Sequence, residues 1–487
     1  MLAVVCATTS ASAQPVTQPS EVSQPVTRPS EVSQPVDPQQ PVTWPSSVPE
    51  PTAAVATDAA PGDTTAVTTP ATTTTESAQD DTPADDEAQK KTWGALSAGT
   101  GMLLHRSTKG ELWISAYALI RYLNQMPAGQ TFVDHLGRPH DIDARNDIWA
   151  HRIMVHFKGW LGVERLVYQL TLWTVNTTDQ KNLFAAIGYR FHRAFNLYGG
   201  LNALPGTRTL TGSHPYWLGH DRLMADEYFR TYFTHGVWAN GEVVPGLWYQ
   251  AMVGNNLSAL GVTAAKLTRN HAYSASIWYM PTTGEFGPNG GFDDYDYHEH
   301  LATRFGVSGS VSREDRFLDL TARAPENTTI RLADSLNVFE LGALAPDVSV
   351  LKLRYRMFSA DAGLKYKGIF LQGHYFLRDL SDFKTDGPIP VQSILDQGFY
   401  AQAAFYPVKQ KLELYGATSW IFGDKDAGFA SSHEYLGGAN WFFAHTKDIR
   451  LNGQLIWMDR SPVSSSFGYY VGGLRGWAAS LAVSINF

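Results

Sequence analysis

The chain has 487 residues, and only 17% of them are charged, below the roughly 25% of ordinary soluble domains. Its net charge of −8 arises in residues 14–91, which carry 12 acidic and 3 basic residues, so the remainder is nearly neutral and does not favour a nucleic-acid partner. The single cysteine excludes an intrachain disulfide, and the lack of any run of about 18 apolar residues excludes a helical membrane protein.

The first residues are typical of an export signal. Residues 2–7 form a short apolar core, and Ala11-Ser12-Ala13 has the A-x-A form of a signal-peptidase site. We therefore expect a signal peptide at residues 1–13, although the usual basic leader is missing. Lipid attachment at Cys6 is the alternative, and the valine before this cysteine disfavours it.

Residues 14–92 have low complexity. PVTQPSEVSQ at residues 15–24 is followed by PVTRPSEVSQ at residues 25–34, and a degraded third copy spans residues 41–50. Such a Pro/Thr-rich chain cannot bury enough apolar surface to offset the entropy lost on ordering. We expect a disordered, extended tail in the periplasm, and contact with the cell wall is the functional alternative to a simple tether.

From residue 93 the composition changes, and segments with a period of two residues begin. The last one is the clearest, because Trp477, Leu481, Ile485 and Phe487 alternate with small or polar residues. Successive side chains of a strand point to opposite faces, so one face of this segment is apolar and the other wettable. An amphipathic strand that closes the chain on Phe487 is typical of outer-membrane barrels.

Four further segments show the same alternation. A soluble barrel would need the apolar parity inside, but these segments carry more apolar surface than one small interior can hold. We therefore assign the apolar parity to lipid and the polar parity to the lumen. The predicted lumen-facing sets are Arg152, Met154, His156 and Lys158; Val167, Gln169, Thr171 and Trp173; Lys352, Arg354 and Arg356; and Gln372, His374, Phe376 and Arg378. The predicted interfacial aromatic residues are Trp113, Tyr122, Trp149, Trp160, Trp420 and Trp441.

The spacing of these segments predicts an all-β fold, a transmembrane antiparallel β-barrel of about sixteen strands, with eighteen as the alternative. The barrel domain is expected at residues 93–487. The longest stretch without alternation runs from Pro205 to Thr231, and residues 223–229 within it could form a short helix. This stretch is either a constriction loop folded into the lumen or an ordinary extracellular loop.

Residues 361–368 (DAGLKYKG) and 371–375 (LQGHY) resemble the phosphate-selective porin O/P family. Residues 303–307 (TRFGV), residues 312–315 (SRED) and the closing strand share the resemblance, which covers roughly residues 110–487. The family often has an acid where His374 stands, so the chain departs from it there. The resemblance implies a sixteen-stranded, usually trimeric channel of the bacterial outer membrane.

Lys352, Arg354 and Arg356 lie at alternate positions and would form a basic ladder over roughly 13 Å of one strand face. If the ladder faces the lumen, it lowers the barrier for anions, and each guanidinium can bind an oxyanion through paired donors. Lumenal cations that merely pair with lumenal acids are the alternative. The predicted anion pathway comprises Lys352, Arg354, Arg356, Arg152, Lys158, Arg208 and Arg222.

Enzymatic motifs are missing from the sequence, and we expect no enzyme, no cofactor and no metal site. His298, His300 and the nearby aspartates have cation-binding potential but no spacing specific to a metal. We expect an outer-membrane porin for small hydrophilic solutes, with an anion preference that could extend to phosphate. A non-selective porin and a structural or adhesive barrel are the alternatives, and large apolar side chains on the lumen parity would indicate a blocked barrel.

Overall fold

The structure is a computed structural model that describes residues 96–97, 101–175, 180–212, 214–258, 270–286, 291–316, 330–464 and 468–487. All of them belong to one compact unit, Asp81–Phe487. The predicted signal peptide and tail lie outside the described residues, and the domain boundary at residue 93 stays a prediction. No helix in the described ranges is long and apolar enough to cross a membrane.

The described residues form twenty strands, a short 3₁₀ helix and one short α-helix, α1. The 3₁₀ helix is Arg208–Leu210 and α1 is Met224–Phe229. The strands are β1 Leu96–Ser97, β2 Gly101–Ser107, β3 Gly110–Met126, β4 Gln130–Val133, β5 Pro139–Ile142, β6 Asn146–Leu161, β7 Val163–Val175, β8 Gln180–His192, β9 Phe195–Ala203, β10 Phe233–Val244, β11 Leu247–Gly254, β12 Ala272–Tyr279, β13 Ala302–Asp315, β14 Val350–Tyr366, β15 Ile369–Thr385, β16 Ser393–Val408, β17 Leu412–Phe422, β18 Ser432–Trp441, β19 Ile449–Asp459 and β20 Gly476–Asn486.

Sixteen of these strands close into an antiparallel barrel, which confirms the predicted fold and strand number. The ring runs from β3 through β6 and then every later strand to β20, which pairs with β3 again. Phe487 exchanges two backbone hydrogen bonds of 3.0 Å with Ala116 of β3, at the point where β20 ends. Beyond that point β2 continues the pairing along the same edge of β3, and β1 pairs with β2.

The two ends of the barrel differ in their connections. At the turn end, short turns join most neighbouring strands, and Lys367 and Gly368 between β14 and β15 both have positive φ, as a tight hairpin turn requires. At the opposite, loop end, the connections are longer and include the β4–β5 hairpin. Short turns on one side and long loops on the other are the usual asymmetry of outer-membrane barrels.

The outer surface carries an apolar belt. In β20, Trp477, Leu481 and Ile485 are 44–52% exposed, whereas the intervening Ala478 and Ala482 are buried. The same alternation recurs around the ring, which is the surface that a hydrocarbon layer would cover.

The predicted interfacial aromatic residues divide between the two faces of the wall. Tyr122, Trp420 and Trp441 face outward as predicted. Trp149 pairs with the inward-facing Arg121 and shares its face. Trp113 and Trp160 line an internal cavity. The prediction was wrong for these three tryptophans, because aromatic rings at strand ends line the interior as well as the lipid interface.

Residues 204–212 and 214–232 fold into the barrel, so the constriction-loop interpretation is confirmed, as is the predicted helix. We call this segment the infolded loop. Its backbone is held by inward side chains of the wall: the Met224 N–H donates to Glu434 at 2.6 Å, and the Ala225 N–H donates to Ser419 Oγ at 2.9 Å. Tyr355 Oη donates in turn to the Phe229 carbonyl at 3.0 Å. These bonds satisfy backbone groups that would otherwise be buried without partners.

A second inserted segment lies at the turn end. The Gly368 N–H donates to the Asp294 carboxylate at 2.7 Å, which fixes residues 291–301 to the turn between β14 and β15. The Phe292 N–H donates to the Tyr216 carbonyl of the infolded loop at 2.8 Å. The two inserted segments therefore meet inside the barrel.

These segments pack against the inward side chains of β14–β19, a region that we call the filled side. Phe370, Phe376, Ile456 and Met458 on the inner face of this wall are fully buried. Buried polar side chains, including Gln372, Glu434 and Asn452, share this inner face. The predicted polar lumen is therefore replaced on the filled side by a mixture of polar and large apolar side chains, and some of both kinds contact inserted chain. Space remains along the opposite wall of β3 and β6–β11, which we call the cavity side.

Candidate functional site

A cavity of about 920 Å³ follows the inner wall of the cavity side. Along β7 its lining extends from Glu164 near the turn end to Trp173 near the loop end. Nine residue steps of a strand correspond to roughly 30 Å. The cavity therefore follows β7 over most of its length, and its loop end meets the infolded loop at Thr209 and Trp217.

The predicted division into lumen-facing and lipid-facing residues is confirmed for β6 and β7 of the cavity side. All four predicted lumenal residues of β6 line the cavity, as do all four of β7. The intervening Ile153 and Leu172 are 38% and 48% exposed on the outer face. Arg152 and Lys158 therefore face the interior as predicted. In β15 the parity is also confirmed, with Phe376 and Arg378 buried inside.

The predicted basic ladder, in contrast, lies on the outer face of β14. Leu353, Tyr355 and Met357 are 2–4% exposed and belong to the interior core, so the intervening cations point outward. Arg356 is 50% exposed and contacts Asp379 at 2.8 Å. Lys352 contacts Asp315 at 3.4 Å, and Arg354 contacts Asp382 at 3.0 Å. The prediction that these three cations line the lumen is therefore wrong.

The physical reason is the infolded loop. Tyr355 and Met357 approach it at Phe229 and Gly206, so the apolar parity of β14 finds its partners inside the barrel. The ladder lies near the loop end of β14, where acidic side chains of β13 and β15 neutralise it. The alternation of residues along β14 shows that its two faces differ, and contact with the infolded loop decides which face is internal.

Of the two predicted cations in the infolded loop, only Arg222 lines the cavity. Its Nε donates to Thr209 Oγ1 at 3.1 Å and lies 3.5 Å from Asp226, and its guanidinium lies 4.5 Å from the Trp217 ring centroid. Arg208 is 2% exposed and lies 4.1 Å from the Phe292 ring on the filled side. Burial and the nearby charge of Arg304 lower the pKa of Arg208 to about 9, so it stays cationic at neutral pH.

Asp221 of the infolded loop links it to the wall. Its carboxylate lies 3.2 Å from Arg152, 3.6 Å from Arg121 and 3.6 Å from His151. Burial alone would raise the pKa of Asp221, but the contacts with Arg152, His151 and Arg121 outweigh burial and hold the pKa well below its usual range. Asp221 therefore stays ionised and anchors the loop to β3 and β6.

The cavity lining is cationic on balance. Its ionisable Lys, Arg, Asp and Glu residues are Arg152, Lys158, Arg190, Arg222, Glu111 and Glu164. Glu111 is partly neutralised by Arg106, at 2.7 Å, and accepts hydrogen bonds from Trp113 and Trp160. Among the described residues, neither Lys158 nor Arg190 has a carboxylate within ion-pair distance. Arg190 was not predicted, although its parity with Ala186 and Phe184 in β8 could have identified it.

Within the described residues, no group of three His, Cys, Asp or Glu side chains could hold a metal ion. His298 instead contacts Asp294 at 2.5 Å and Glu285 at 2.9 Å, and so helps to fix the segment at the turn end.

No family model and no curated protein sequence matches the chain, so its resemblance to the phosphate-selective porin O/P family is not confirmed. Solved structures with a similar fold include outer-membrane-expressed OmpT of Vibrio cholerae, which is 11% identical with a TM-score of 0.49 and covers 79% of this chain and 100% of its own. An anion-selective porin from Comamonas acidovorans is 12% identical with a TM-score of 0.46, covering 78% and 100%. The outer membrane channel DcaP of Acinetobacter baumannii is 11% identical with a TM-score of 0.43, covering 80% and 100%. These values are too low to assign a function.

Proposed function

We propose that the chain forms an outer-membrane channel through which small hydrophilic solutes diffuse passively, with a preference for anions. The observation that carries the proposal is the cavity that follows β7 over most of its length with an excess of basic side chains. A charged, water-filled path with low-dielectric walls favours ions of the opposite sign.

The position in the membrane follows from the outer surface. The apolar belt would lie in the hydrocarbon layer, the turn end would face the periplasm and the loop end the exterior. Strands β1 and β2 lie along the turn-end part of β3, which supports a periplasmic N-terminal tail. The predicted tail contact with the cell wall is tested by pull-down of the chain with peptidoglycan.

The anion preference rests on Lys158 and Arg190 rather than on the β14 cations. Lys158 lies on β6 and Arg190 on β8, and both line the cavity. Their charge is therefore available to a passing solute, whereas Arg152 and Arg222 already contact Asp221 and Asp226. A guanidinium can bind an oxyanion through two donors, so phosphate is the inorganic anion to test.

The experiment is a planar-bilayer recording on the refolded protein, with reversal potential measured across a KCl gradient before and after phosphate is added. The double variant Lys158→Gln/Arg190→Gln should lose most of the anion preference. The matched control Lys352→Gln/Arg356→Gln removes the same charges from the outer face and should keep it. An anion preference that survives the first variant would contradict the assignment, and conductance without any ion preference would indicate a non-selective porin.

The filled side supports a second candidate, a structural or adhesive barrel without an open pore. Its large buried side chains, including Phe370 and Phe376, are the feature expected of a blocked barrel. Protein that is folded but never conducts would favour this candidate. The homotrimer implied by the family resemblance stays a prediction, which conductance steps in multiples of three or light scattering would test.

A further inference from the structure

The outer face of the wall carries a basic cluster near the loop end of β13–β15. Its charged residues are the cations Arg313, Lys352, Arg354, Arg356 and Lys384 and the carboxylates Asp315, Asp379 and Asp382. The three carboxylates pair with the three β14 cations. Arg313 and Lys384 are exposed opposite Arg354 and Lys352, and among the described residues no carboxylate lies within ion-pair distance of either. The basic cluster therefore has an excess of positive charge.

The basic cluster lies where the apolar belt ends. From Phe358 to Tyr366 the outward positions of β14 carry no charge. These eight residue steps correspond to roughly 26 Å along the strand, enough to cross most of the apolar band of a membrane barrel. Arg356 follows on the loop side, and Lys352 lies further out. In the orientation proposed above, the cluster is therefore at the level of the lipid headgroups on the exterior side.

An apolar groove of about 870 Å³ opens in the outer face beside this cluster. Small residues that pair in register across β10–β13 form its floor: Ala239, Ala251, Ala275 and Gly309. In the described part of the chain, a Cβ atom at Gly309 would meet only the Met357 carbonyl, at 3.8 Å, so no side chain covers the floor there. Arg356, which is paired with Val311, lines the groove on its loop side. The groove and the basic cluster therefore adjoin.

We infer that the groove and the basic cluster together bind a phosphorylated lipid of the exterior leaflet, of the lipopolysaccharide class. A hydrocarbon chain of the lipid would lie in the groove, and its phosphates would accept hydrogen bonds from Arg313 and Lys384. Basic side chains bind phosphate through charge-assisted hydrogen bonds, and clusters of Lys and Arg at a membrane surface attract anionic headgroups. An uncharged lipid would leave the excess charge uncompensated. The inference uses the membrane orientation proposed above and does not depend on conduction.

The test is native mass spectrometry of the detergent-refolded protein, titrated with diphosphoryl lipid A and with the same lipid after removal of its phosphates. The diphosphoryl form should bind at least about tenfold more tightly, and inorganic phosphate at equal concentration should not displace it. Arg313→Gln/Lys384→Gln should weaken its binding by about tenfold or more. The matched control Lys409→Gln/Lys411→Gln removes two exposed cations at the turn end and should leave binding unchanged.

A second pair of variants tests the groove. Ala251→Trp places a ring on its floor and should weaken binding of diphosphoryl lipid A by at least about threefold, because the hydrocarbon chain loses apolar contact. Ala185→Trp adds the same ring to the outer face of β8, outside the groove, and should leave binding unchanged.

Equal binding of the two lipid forms would overturn the inference, as would unchanged binding of diphosphoryl lipid A by a folded Arg313→Gln/Lys384→Gln variant. Displacement by inorganic phosphate would indicate a site for free anions and would overturn the lipid assignment. If Ala251→Trp separated copies of the chain without changing lipid binding, the groove would be a contact between copies, and the inference would also fail. The bilayer recording reports on the cavity rather than on this outer face, so each proposal can fail without the other.

Discussion

The cavity side and the filled side belong to the same ring of strands, yet they use their inward positions differently. On the cavity side, inward residues such as Lys158 and Gln169 are polar and line open space. On the filled side, Phe376 and Tyr400 are buried, Phe376 stacks on Phe229 of the infolded loop, and Arg378 is paired with Asp396 at 2.6 Å. A barrel wall therefore does not determine its own interior: the inserted segments decide which part of the lumen stays open to solutes.

The largest expected effect is on the filled side. Arg378 is 1% exposed and contacts Asp396 and Tyr228 Oη, each at 2.6 Å. Arg378→Ala leaves Asp396 buried without its counter-ion and should lower the free energy of unfolding by about 3–5 kcal/mol. Urea titration in lipid vesicles, followed by tryptophan fluorescence, measures this. The control Arg356→Ala removes an exposed ion pair and should cost about 0–1 kcal/mol. If both variants lost the same free energy of unfolding, the buried ion pair of the filled side would matter no more than an exposed one, which would contradict the prediction.

A second prediction concerns the attachment of the infolded loop. Glu434 accepts hydrogen bonds from the Met224 N–H and from Tyr470 Oη, at 2.6 and 2.9 Å. Glu434→Ala leaves the Met224 N–H buried and unpaired, whereas Tyr470 Oη can still donate to the Arg222 carbonyl at 3.0 Å. We therefore expect a loss of about 1–3 kcal/mol in the same titration. Glu164→Ala, at the exposed mouth of the cavity, serves as the control and should leave stability unchanged.

A third prediction concerns the width of the path. Ala186 of β8 lines the cavity, whereas its neighbour Ala185 is exposed on the outer face. Ala186→Trp should reduce single-channel conductance at least about twofold, because the new ring occupies the cavity. Ala185→Trp adds the same ring to the lipid side and should leave conductance unchanged. If both variants conduct like the original protein, ions do not pass through this cavity.

The smallest expected effect is outside the barrel wall, in the β4–β5 hairpin. Burial alone would raise the pKa of Asp134, but hydrogen bonds from His140 and Arg138 and the charge of Arg138 lower it from 3.8 to about 2. A depressed carboxylate pKa stabilises the hairpin above about pH 4, and this contribution is lost as the pH falls through about 2. Hydrogen exchange at the Leu136 and Arg138 amides, both bound to Asp134 at 2.9 Å, measures the change.

Asp134→Asn should abolish this pH dependence, whereas Asp141→Asn, which removes another carboxylate of the same hairpin, should preserve it. Exchange at Leu136 that accelerates equally with acid in both variants would show that Asp134 does not hold the hairpin.

The sequence alone was sufficient for several features, because each depends on the period of two residues in a strand. It predicted the barrel of about sixteen strands, the outward Leu481 and Ile485 and the inward Arg152 and Lys158. It also indicated the infolded loop, because that segment interrupts the alternation.

Only the tertiary structure decided which face of β14 is internal and which tryptophans line the cavity. Each face of β14 has a single chemical character: one face carries the apolar Leu353 and Tyr355, and the other carries the basic Arg354 and Arg356. Alternation cannot show which face of such a strand is internal, because both lipid and an inserted loop remove an apolar face from water. The contact between Tyr355 and Phe229, 126 residues apart in the chain, makes the assignment, and no local pattern encodes it.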